Sequence, residues 1–259
     1  MTRLQWIGHS TVLIETGGRR LLTDPVLGQG IGPVRRRAGS SPGELGHIDA
    51  VLISHLHHDH LDLRSLRRLD RDVEVVVPTG GGPLLRSAAF RTVHEVDRGD
   101  RLITGEVRVE ATPARHSGRR APFGPSGPAL GYLIQGDHRI YFAGDTDIFA
   151  GMTDLSRDLD IAILPIGGWG PTLRGGHMDP VRAAAALALL QPTHAVAVHW
   201  GTLWPIGLSR YRRDRFDGPI HRFIEEAGRI APDVHVAFLE PGGELVFPDP
   251  RRDSPGGVD

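Results

Sequence analysis

The chain has 259 residues, of which 39% are hydrophobic and 24% are charged. These fractions are those of an ordinary globular protein, so they exclude a disordered or fibrous chain. The formal net charge of -1 gives no overall field that would attract nucleic acid or an anionic membrane. The sequence contains no cysteine and 14 histidines, so a metal site would have to use His, Asp or Glu side chains.

Short runs rich in valine and isoleucine recur along the chain and are typical of β-strands. In chain order they are TVLIET, RRLLTD, AVLIS, VEVVV, VRVEAT, HRIYFAG, DIAILPI, HAVAVHW and VHVAFLE. Helices are predicted at Leu61 to Leu69, from the N-cap Asp179 through Pro180 to Gln191, and at Pro219 to Ile230. This order of elements predicts an α/β sandwich, with sheets packed face to face and helices outside.

No linker-like segment divides the chain, so we expect one domain over residues 1–247 and a flexible tail at 248–259. Residues 28–46 and 113–129 are rich in Gly, Pro and Arg and are predicted to form long loops. The first residues lack a signal-peptide pattern, and no apolar run is long enough to span a bilayer. We therefore expect a cytoplasmic location without integral membrane association.

The strongest chemical signal is the segment SHLHHDHLD at residues 54–62, which directly follows the apolar run AVLI. A strand that runs into a loop turns His55 and His57 to one side, and the bend brings Asp59 and His60 to the neighbouring position. This spacing predicts two adjacent metal sites. Imidazole and carboxylate ligands suit zinc and also accept manganese or iron, because no sulfur ligand selects among these metals.

Single histidine and aspartate residues follow other predicted strands. His116 comes after VRVEAT, Asp145 lies in YFAGDTD, and His199 comes after HAVAV. Each of them opens a turn at a strand end, where a rigid scaffold commonly presents functional groups. Any one alone could be a hydrogen-bonded turn residue, but their repetition at strand ends favours a shared metal centre.

The segments together resemble the metallo-β-lactamase superfamily, whose fold is an αββα sandwich of two mixed β-sheets with outer helices and metals at one edge. The likeness is greatest to the branch that holds N-acyl-phosphatidylethanolamine-hydrolysing phospholipase D and L-ascorbate-6-phosphate lactonase. The segments that carry the resemblance are WIGHSTVLIE, LLTDPVLG, IDAVLISHLHHDHLD, YFAGDTD, LPIGG, GHMDP and AVAVHWGT.

The resemblance implies a set of ligands for two divalent metal ions. One ion would be held by His55, His57 and His116, the second by Asp59, His60 and His199, and Asp145 would bridge both. A carboxylate and a water that bridge two cations lower the pKa of that water, so a metal-bridging hydroxide would be the nucleophile. The implied metal is Zn²⁺, with Mn²⁺ or Fe²⁺ as alternatives.

The candidate catalytic residues are Asp59, Asp145 and His177. The resemblance matches His177, in the run GGHMDP, to a histidine beside the metals that could contact a substrate phosphate or carbonyl and assist the leaving group. The alternative is an ordinary surface loop histidine. Asp24 and His9 also recur in the resemblance, as residues that would orient ligand imidazoles or stabilise strand ends.

The substrate side of the site is less specific. We name Arg119, Arg120 and Trp200 as candidate substrate contacts, since an arginine suits a phosphate or carboxylate and a tryptophan can line an apolar pocket. The same residues could equally be solvated loop charges or part of the core. The expected partner is a small or lipid-like substrate that could be anionic, and the formation of a homo-oligomer is left open.

The sequence thus predicts a dinuclear metal-dependent hydrolase that cleaves a phosphodiester, lactone or ester bond. A metal-dependent nuclease is the main alternative, although the near-zero net charge and the lack of a basic stripe argue against nucleic acid as the partner. A di-iron redox enzyme and a non-enzymatic metal-binding protein are further alternatives. The di-iron proteins usually carry a glutamate where this chain has His57, together with a flavin or rubredoxin module.

Overall fold

Short β-strands dominate the fold. The computed structural model describes residues 1–37, 43–169, 173, 175–207 and 214–249. In chain order the strands are β1 (Thr2–Gly8), β2 (Thr11–Thr16), β3 (Arg19–Thr23), β4 (Gly30–Ile31), β5 (Val34–Arg36), β6 (Ala50–Leu52), β7 (Glu74–Pro78), β8 (Val93–Val96), β9 (Arg101–Thr104), β10 (Val107–Pro113), β11 (Leu130–Gln135), β12 (Arg139–Phe142), β13 (Ile161–Pro165), β14 (His194–Val198), β15 (Leu203–Pro205), β16 (His235–Ala237) and β17 (Glu244–Phe247). Every strand run predicted from the sequence is present among them.

The helices in the described ranges are α1 (Leu63–Leu66), α2 (Gly82–Ser87), α3 (Pro180–Leu190) and α4 (Asp214–Ile230), with a short 3-10 helix at Met152–Leu155. Helix α3 begins as predicted, because the Asp179 carboxylate accepts a hydrogen bond from the backbone N–H of Arg182. Helix α1 is shorter than predicted, since Asp62 caps it and only one turn follows. No described helix combines the length and the apolar character needed to cross a membrane.

Two seven-stranded sheets and one three-stranded sheet contain these strands. Sheet I has the spatial order β17-β1-β2-β3-β6-β7-β8, sheet II has β16-β14-β13-β12-β11-β10-β9, and the small sheet has β15-β5-β4. Sheet I is antiparallel from β17 to β3 and parallel from β3 to β8. Sheet II is antiparallel from β9 to β12 and parallel from β12 to β16. The predicted sandwich of two mixed sheets is confirmed.

Alternating side chains of sheet I divide the interior into two hydrophobic cores. On β2, Val12 and Ile14 belong to the larger core and Leu13 belongs to the smaller one, because successive side chains of a strand point to opposite faces. The larger core contains residues of both sheets and of α3 and α4. The smaller core packs sheet I against Leu66 of α1 and Leu85 of α2. Helices therefore pack against both sheets, and the loops at the strand ends stay available for a site.

The segment at 28–46, which we expected to be a loop, contains β4 and β5 in its described part. It is held by Arg36, a buried residue whose guanidinium donates hydrogen bonds to the carbonyl oxygens of Ile7, Val26 and Gly28. The predicted tail at 248–259 lies outside the described residues from position 250 onward. The extent of the domain and the flexibility of that tail stay predictions.

Candidate metal centre

The predicted ligands follow strands whose carboxyl ends lie at the same end of their sheets. The segment His55–His60 follows β6, His116 follows β10, Asp145 follows β12 and His199 follows β14. In sheet II, β10, β12 and β14 run in one direction, because two antiparallel steps connect β10 to β12 and two parallel steps connect β12 to β14. The fold therefore brings residues that are distant in sequence to one edge of the sandwich.

Three histidines form the first group of ligand atoms. Nε2 of His55 lies 2.9 Å from Nδ1 of His57, and Nε2 of His116 lies 3.2 Å from the same Nδ1 atom. These atoms belong to a set that could hold one metal ion. A neutral imidazole has one lone pair and one N–H, and a cation would satisfy three converging lone pairs at once.

A second group surrounds the carboxylate of Asp59. Its Oδ2 atom lies 3.7 Å from Nε2 of His60 and 3.9 Å from Nε2 of His199. The same oxygen lies 3.0 Å from Nε2 of His9 and accepts a hydrogen bond of 2.9 Å from the indole nitrogen of Trp169. Ligand atoms of His9, Asp59, His60 and His199 all lie close enough together to surround one ion.

Asp145 lies between the two groups. Its Oδ2 atom is 3.2 Å from Nε2 of His60, 4.0 Å from Nε2 of His55 and 3.3 Å from Nε2 of His177. Its Oδ1 atom is 3.3 Å from Nε2 of His199. A ligand that bridges two ions requires a position of this kind, in contact with both groups.

Unpaired atoms in this cluster show that its residues fit a metal. Within the described part of the chain, Nε2 of His60, Nε2 of His199 and Oδ1 of Asp145 are buried without a hydrogen-bond partner. A buried polar atom left unpaired costs about 1–3 kcal/mol, so three in one place need a common cause. Coordination of a cation would satisfy all three, and imidazole and carboxylate donors suit zinc, manganese or iron.

Hydrogen bonds on the far side of the imidazoles fix their orientation. Nδ1 of His60 lies 2.7 Å from Oδ2 of Asp24, Nδ1 of His55 lies 3.0 Å from Oγ of Ser54, and the Nδ1 atoms of His116 and His199 each lie 2.9 Å from the carbonyl oxygens of Gly176 and Gly167. Each oxygen accepts the Nδ1–H and leaves Nε2 directed into the cluster, as the ligand histidines of metal sites require. The contact predicted for Asp24 with a ligand imidazole is therefore present.

At four histidines of the centre, burial favours the neutral imidazole that binds a metal. Burial lowers the pKa of His116 to about 4 and, together with the nearby charge of His199, lowers that of His9 to about 3. Burial also lowers the pKa values of His55 and His57. These imidazoles are neutral at physiological pH, which is the form that coordinates a cation.

The charged neighbours dominate at three other residues of the centre. Burial alone would lower the pKa of His60, but the charges of Asp145, Asp24 and Asp59 outweigh it and raise that pKa well above its usual value. Burial would raise the pKa values of Asp59 and Asp145, yet the surrounding histidines hold both well below the usual range. Both carboxylates are therefore ionised, as metal ligands must be.

His177 lies at the open side of the cluster. It precedes α3, its side chain is 20% exposed, and its ring centroid is 4.6 Å from that of His116. It is thus placed near the metal-ligand atoms and is reachable from solvent. This position agrees with a residue that contacts a substrate.

The structure gives two of the three predicted substrate contacts a different role. Arg120 is buried, and its Nη1 atom donates hydrogen bonds of 2.9 Å to the carbonyl oxygens of Leu56 and Leu61. Trp200 is also buried, with its ring stacked on Trp6 at a centroid distance of 5.3 Å and its indole N–H bonded to the carbonyl oxygen of Ala197. The predicted substrate role does not agree with these contacts.

Arg119 is the exposed member of the three predicted contacts. The sequence reasoning also missed contacts that do shape the centre. Ser54 bonds both Asp24 and His55, and Trp169 reaches Asp59 across 110 positions. Ser54 adjoins the histidine motif, which is a signal that could have found it, whereas no local pattern indicates the contact of Trp169.

A sandwich of two mixed sheets with a His and Asp cluster at its strand ends is the architecture of a class of metal-binding proteins that includes metal-dependent hydrolases. The sequence model of the β-lactamase superfamily domain matches residues 19–200, which include every predicted metal ligand, and the chain belongs to this family. The chain is a metal-dependent hydrolase of this superfamily.

Two curated proteins and one solved structure illustrate the relationship. A UPF0173 metal-dependent hydrolase of Caldivirga maquilingensis is 30% identical, over 96% of this chain and 99% of its own length. N-acyl-phosphatidylethanolamine-hydrolyzing phospholipase D 1 of Caenorhabditis elegans is 29% identical, over 80% of this chain and 65% of its own length. Igni18, a metallo hydrolase of Ignicoccus hospitalis, has the same fold, with a TM-score of 0.71, 24% identity, and coverage of 95% of this chain and 98% of its own. The predicted superfamily and branch resemblance are confirmed.

Proposed function

We propose that the chain is a dinuclear hydrolase that cleaves a phosphodiester, lactone or ester bond in a small or lipid-like substrate. The observation that supports this proposal most is the position of Asp145, whose two oxygens lie 3.2 Å from Nε2 of His60 and 3.3 Å from Nε2 of His199. The same carboxylate faces His55 of the first group. In two-metal hydrolases the ions lie about 3.5–4 Å apart, a spacing that one shared carboxylate can bridge.

The proposed ligands divide into the two groups defined by the contacts above. His55, His57 and His116 would hold the first ion, Asp59, His60 and His199 would hold the second, and Asp145 would contact both. Two divalent cations, with zinc as the expected metal, would supply a nucleophilic water of lowered pKa and polarise the bond under attack.

His177 is the proposed proton donor to the leaving group. Its Nε2 atom lies 3.3 Å from Oδ2 of Asp145, so a substrate bound over the centre would lie within reach of this imidazole. The carboxylate can hold the imidazole in place while the ring faces the open side of the cluster. General acid catalysis by a histidine in such a position contributes about 10²–10⁴-fold to a rate.

The choice of bond rests on the relatives and on charge. The name of the Caenorhabditis elegans relative refers to phospholipid hydrolysis of the phospholipase D type, which favours a phosphodiester as the first substrate to test. The net charge of -1 disfavours the nuclease alternative. Arg119 remains the predicted contact for an anionic group. The cytoplasmic location also stays a prediction, and the formation of a homo-oligomer stays open.

A matched substrate panel tests this function. Zinc- or manganese-loaded protein is assayed with an activated phosphodiester, a lactone, a carboxylic ester and single-stranded DNA. We expect turnover of one of the first three substrates, its loss in a chelator and its recovery on return of the metal. Asp145→Ala should abolish turnover, while His58→Ala, which changes an exposed histidine of the same segment, should leave it unchanged. Wild-type activity in Asp145→Ala would contradict the proposal, and turnover of DNA alone would support the nuclease instead.

A further inference from the structure

His9 is a buried histidine of the centre that the proposed ligand set leaves out. It follows β1, it is 1% exposed, and its ring centroid lies 4.0 Å from that of His199 and 5.3 Å from that of His60. Its Nε2 atom lies 3.0 Å from Oδ2 of Asp59. Residue 9 also lies outside the part of the chain that the family model matches.

The backbone of His9 is held in a conformation that few residues other than glycine adopt. Its φ angle is 54°, in the left-handed region. Its N–H donates to Oγ1 of Thr202, and its carbonyl oxygen accepts from the indole of Trp6 and from the backbone N–H of His199, each at 2.9 Å. Strained residues persist where surrounding contacts fix them, and they cluster at functional sites. These backbone contacts therefore hold the His9 ring in a fixed position against the second ligand group.

The contacts of His9 distinguish it from the ligand imidazoles. The rings of His55, His60, His116 and His199 each have Nδ1 on an oxygen, which leaves Nε2 for a cation. In His9 it is Nε2 itself that faces an oxygen. An ionised carboxylate can only accept, so Nε2 of His9 carries the hydrogen and has no lone pair to offer a metal.

We propose that His9 is a positioning residue of the second metal site, whose Nε2–H fixes the Asp59 oxygen that lies nearest Nε2 of His60 and of His199. The inference rests on the proposed two-metal function. Trp169 donates to the same oxygen but is 37% exposed, so water can replace its hydrogen bond. Water cannot replace the buried donor of His9 in the same way, and the first ligand group does not depend on it.

Two amide variants separate the hydrogen bond of His9 from its bulk. In His9→Gln the amide nitrogen lies near the place of the imidazole Nε2, whereas in His9→Asn it reaches only as far as Nδ1. Both residues tolerate the required backbone, since Asn is enriched in the left-handed region and Gln191 of this chain has a φ angle of 46°. His9→Gly accepts that φ without strain and serves as a second variant that lacks the donor. His58→Gln, at an exposed histidine, is the matched control.

The readout is the pair of stepwise zinc dissociation constants, measured by titration of metal-free protein in competition with a chromophoric chelator. We expect the wild type, His9→Gln and His58→Gln to bind two ions with similar affinities. His9→Asn and His9→Gly should bind the first ion normally and the second about 10- to 100-fold more weakly, which is the usual effect of losing an outer hydrogen bond at a metal site. Thermal unfolding of the metal-free variants shows that they are folded.

Four results would overturn the inference. His9→Asn and His9→Gly could bind the second ion as tightly as the wild type, or they could weaken both ions equally, which would indicate packing alone. His9→Gln could be as weak as His9→Asn, which would exclude the Nε2–H donor. A wild type that binds only one ion would overturn the two-metal function together with this inference. If the wild type binds two ions and only the variants depart from expectation, the inference about His9 fails and the two-metal function stands.

Discussion

Arg120 is the residue for which the structure and the sequence make opposite predictions. As a substrate contact it would affect the Michaelis constant, but as a buried donor to two carbonyl oxygens of the motif loop it would affect stability. Its Nη1 atom bonds Leu56 and Leu61, which flank the predicted ligands Asp59 and His60. Burial lowers the pKa of its guanidinium, which indicates a desolvated charge.

The substitution Arg120→Met keeps the aliphatic stem and removes both hydrogen bonds. Each carbonyl oxygen left unpaired costs about 1–3 kcal/mol, and relief of the buried charge offsets part of that sum. We therefore expect a loss of about 2–4 kcal/mol in the free energy of unfolding. Arg119→Met, at the exposed neighbour, is the matched control and should change stability by less than about 0.5 kcal/mol.

Urea unfolding of the metal-free proteins measures the difference, and steady-state kinetics on the substrate found in the panel provide the second readout. We expect Arg120→Met to shift the unfolding midpoint strongly to lower urea. An unchanged midpoint combined with a raised Michaelis constant would refute the structural role and restore the substrate contact inferred from the sequence.

Two further predictions concern metal affinity and pH. Asp24→Asn should weaken zinc binding about 10- to 100-fold in a chelator competition, because Nδ1 of His60 and the hydroxyl of Ser54 lose a charged acceptor. An unchanged zinc affinity would contradict the role of Asp24 in orienting His60. The metal-free protein should lose stability as the pH falls from about 6.5 to about 4. In the folded state His9 and His116 have pKa values of about 3 and 4 and stay neutral over this range, whereas in the unfolded chain they bind protons below about pH 6.5, which stabilises the unfolded state. His60, whose pKa is raised, has the opposite dependence above about pH 6.5, and a flat unfolding midpoint between pH 4 and 6 would refute the expectation.

Much of the centre could be predicted because its ligands stand at strand ends. Val- and Ile-rich runs indicated where β10, β12 and β14 stop, and His116, Asp145 and His199 each follow within three residues of those strand ends. The repetition of these residues at strand ends favoured a shared centre, and the shared direction of the three strands, which brings their carboxyl ends together, came from the structure. The helix at Asp179 was equally legible, since its cap and its proline are local signals.

Contacts that depend on side-chain direction could not be predicted in this way. Arg120 and Trp200 are near ligands along the chain, but a short distance along a loop does not determine which way a side chain points. His9 and Trp169 are 50 and 110 positions away from Asp59 in the sequence, and no local sequence pattern indicates that their side chains contact it.

Missed strands have a related cause. Strand β1, with the sequence TRLQWIG, lacks a run of β-branched residues, and its pairing partners β2 and β17 stabilise it from opposite ends of the chain. The small strands β4 and β5 lie in a Gly- and Arg-rich segment without periodicity. Pairing with β15 and the carbonyl contacts of Arg36 hold them, and neither is visible locally.

The central claim is that Asp145 is shared by two cation sites. A crystal structure of the zinc-loaded protein, with anomalous scattering recorded at the zinc edge, tests it most directly. The account predicts two anomalous peaks about 3.5–4 Å apart, one beside His55, His57 and His116 and the other beside Asp59, His60 and His199, with Asp145 in contact with both. A single peak, or two peaks of which only one touches Asp145, would contradict it.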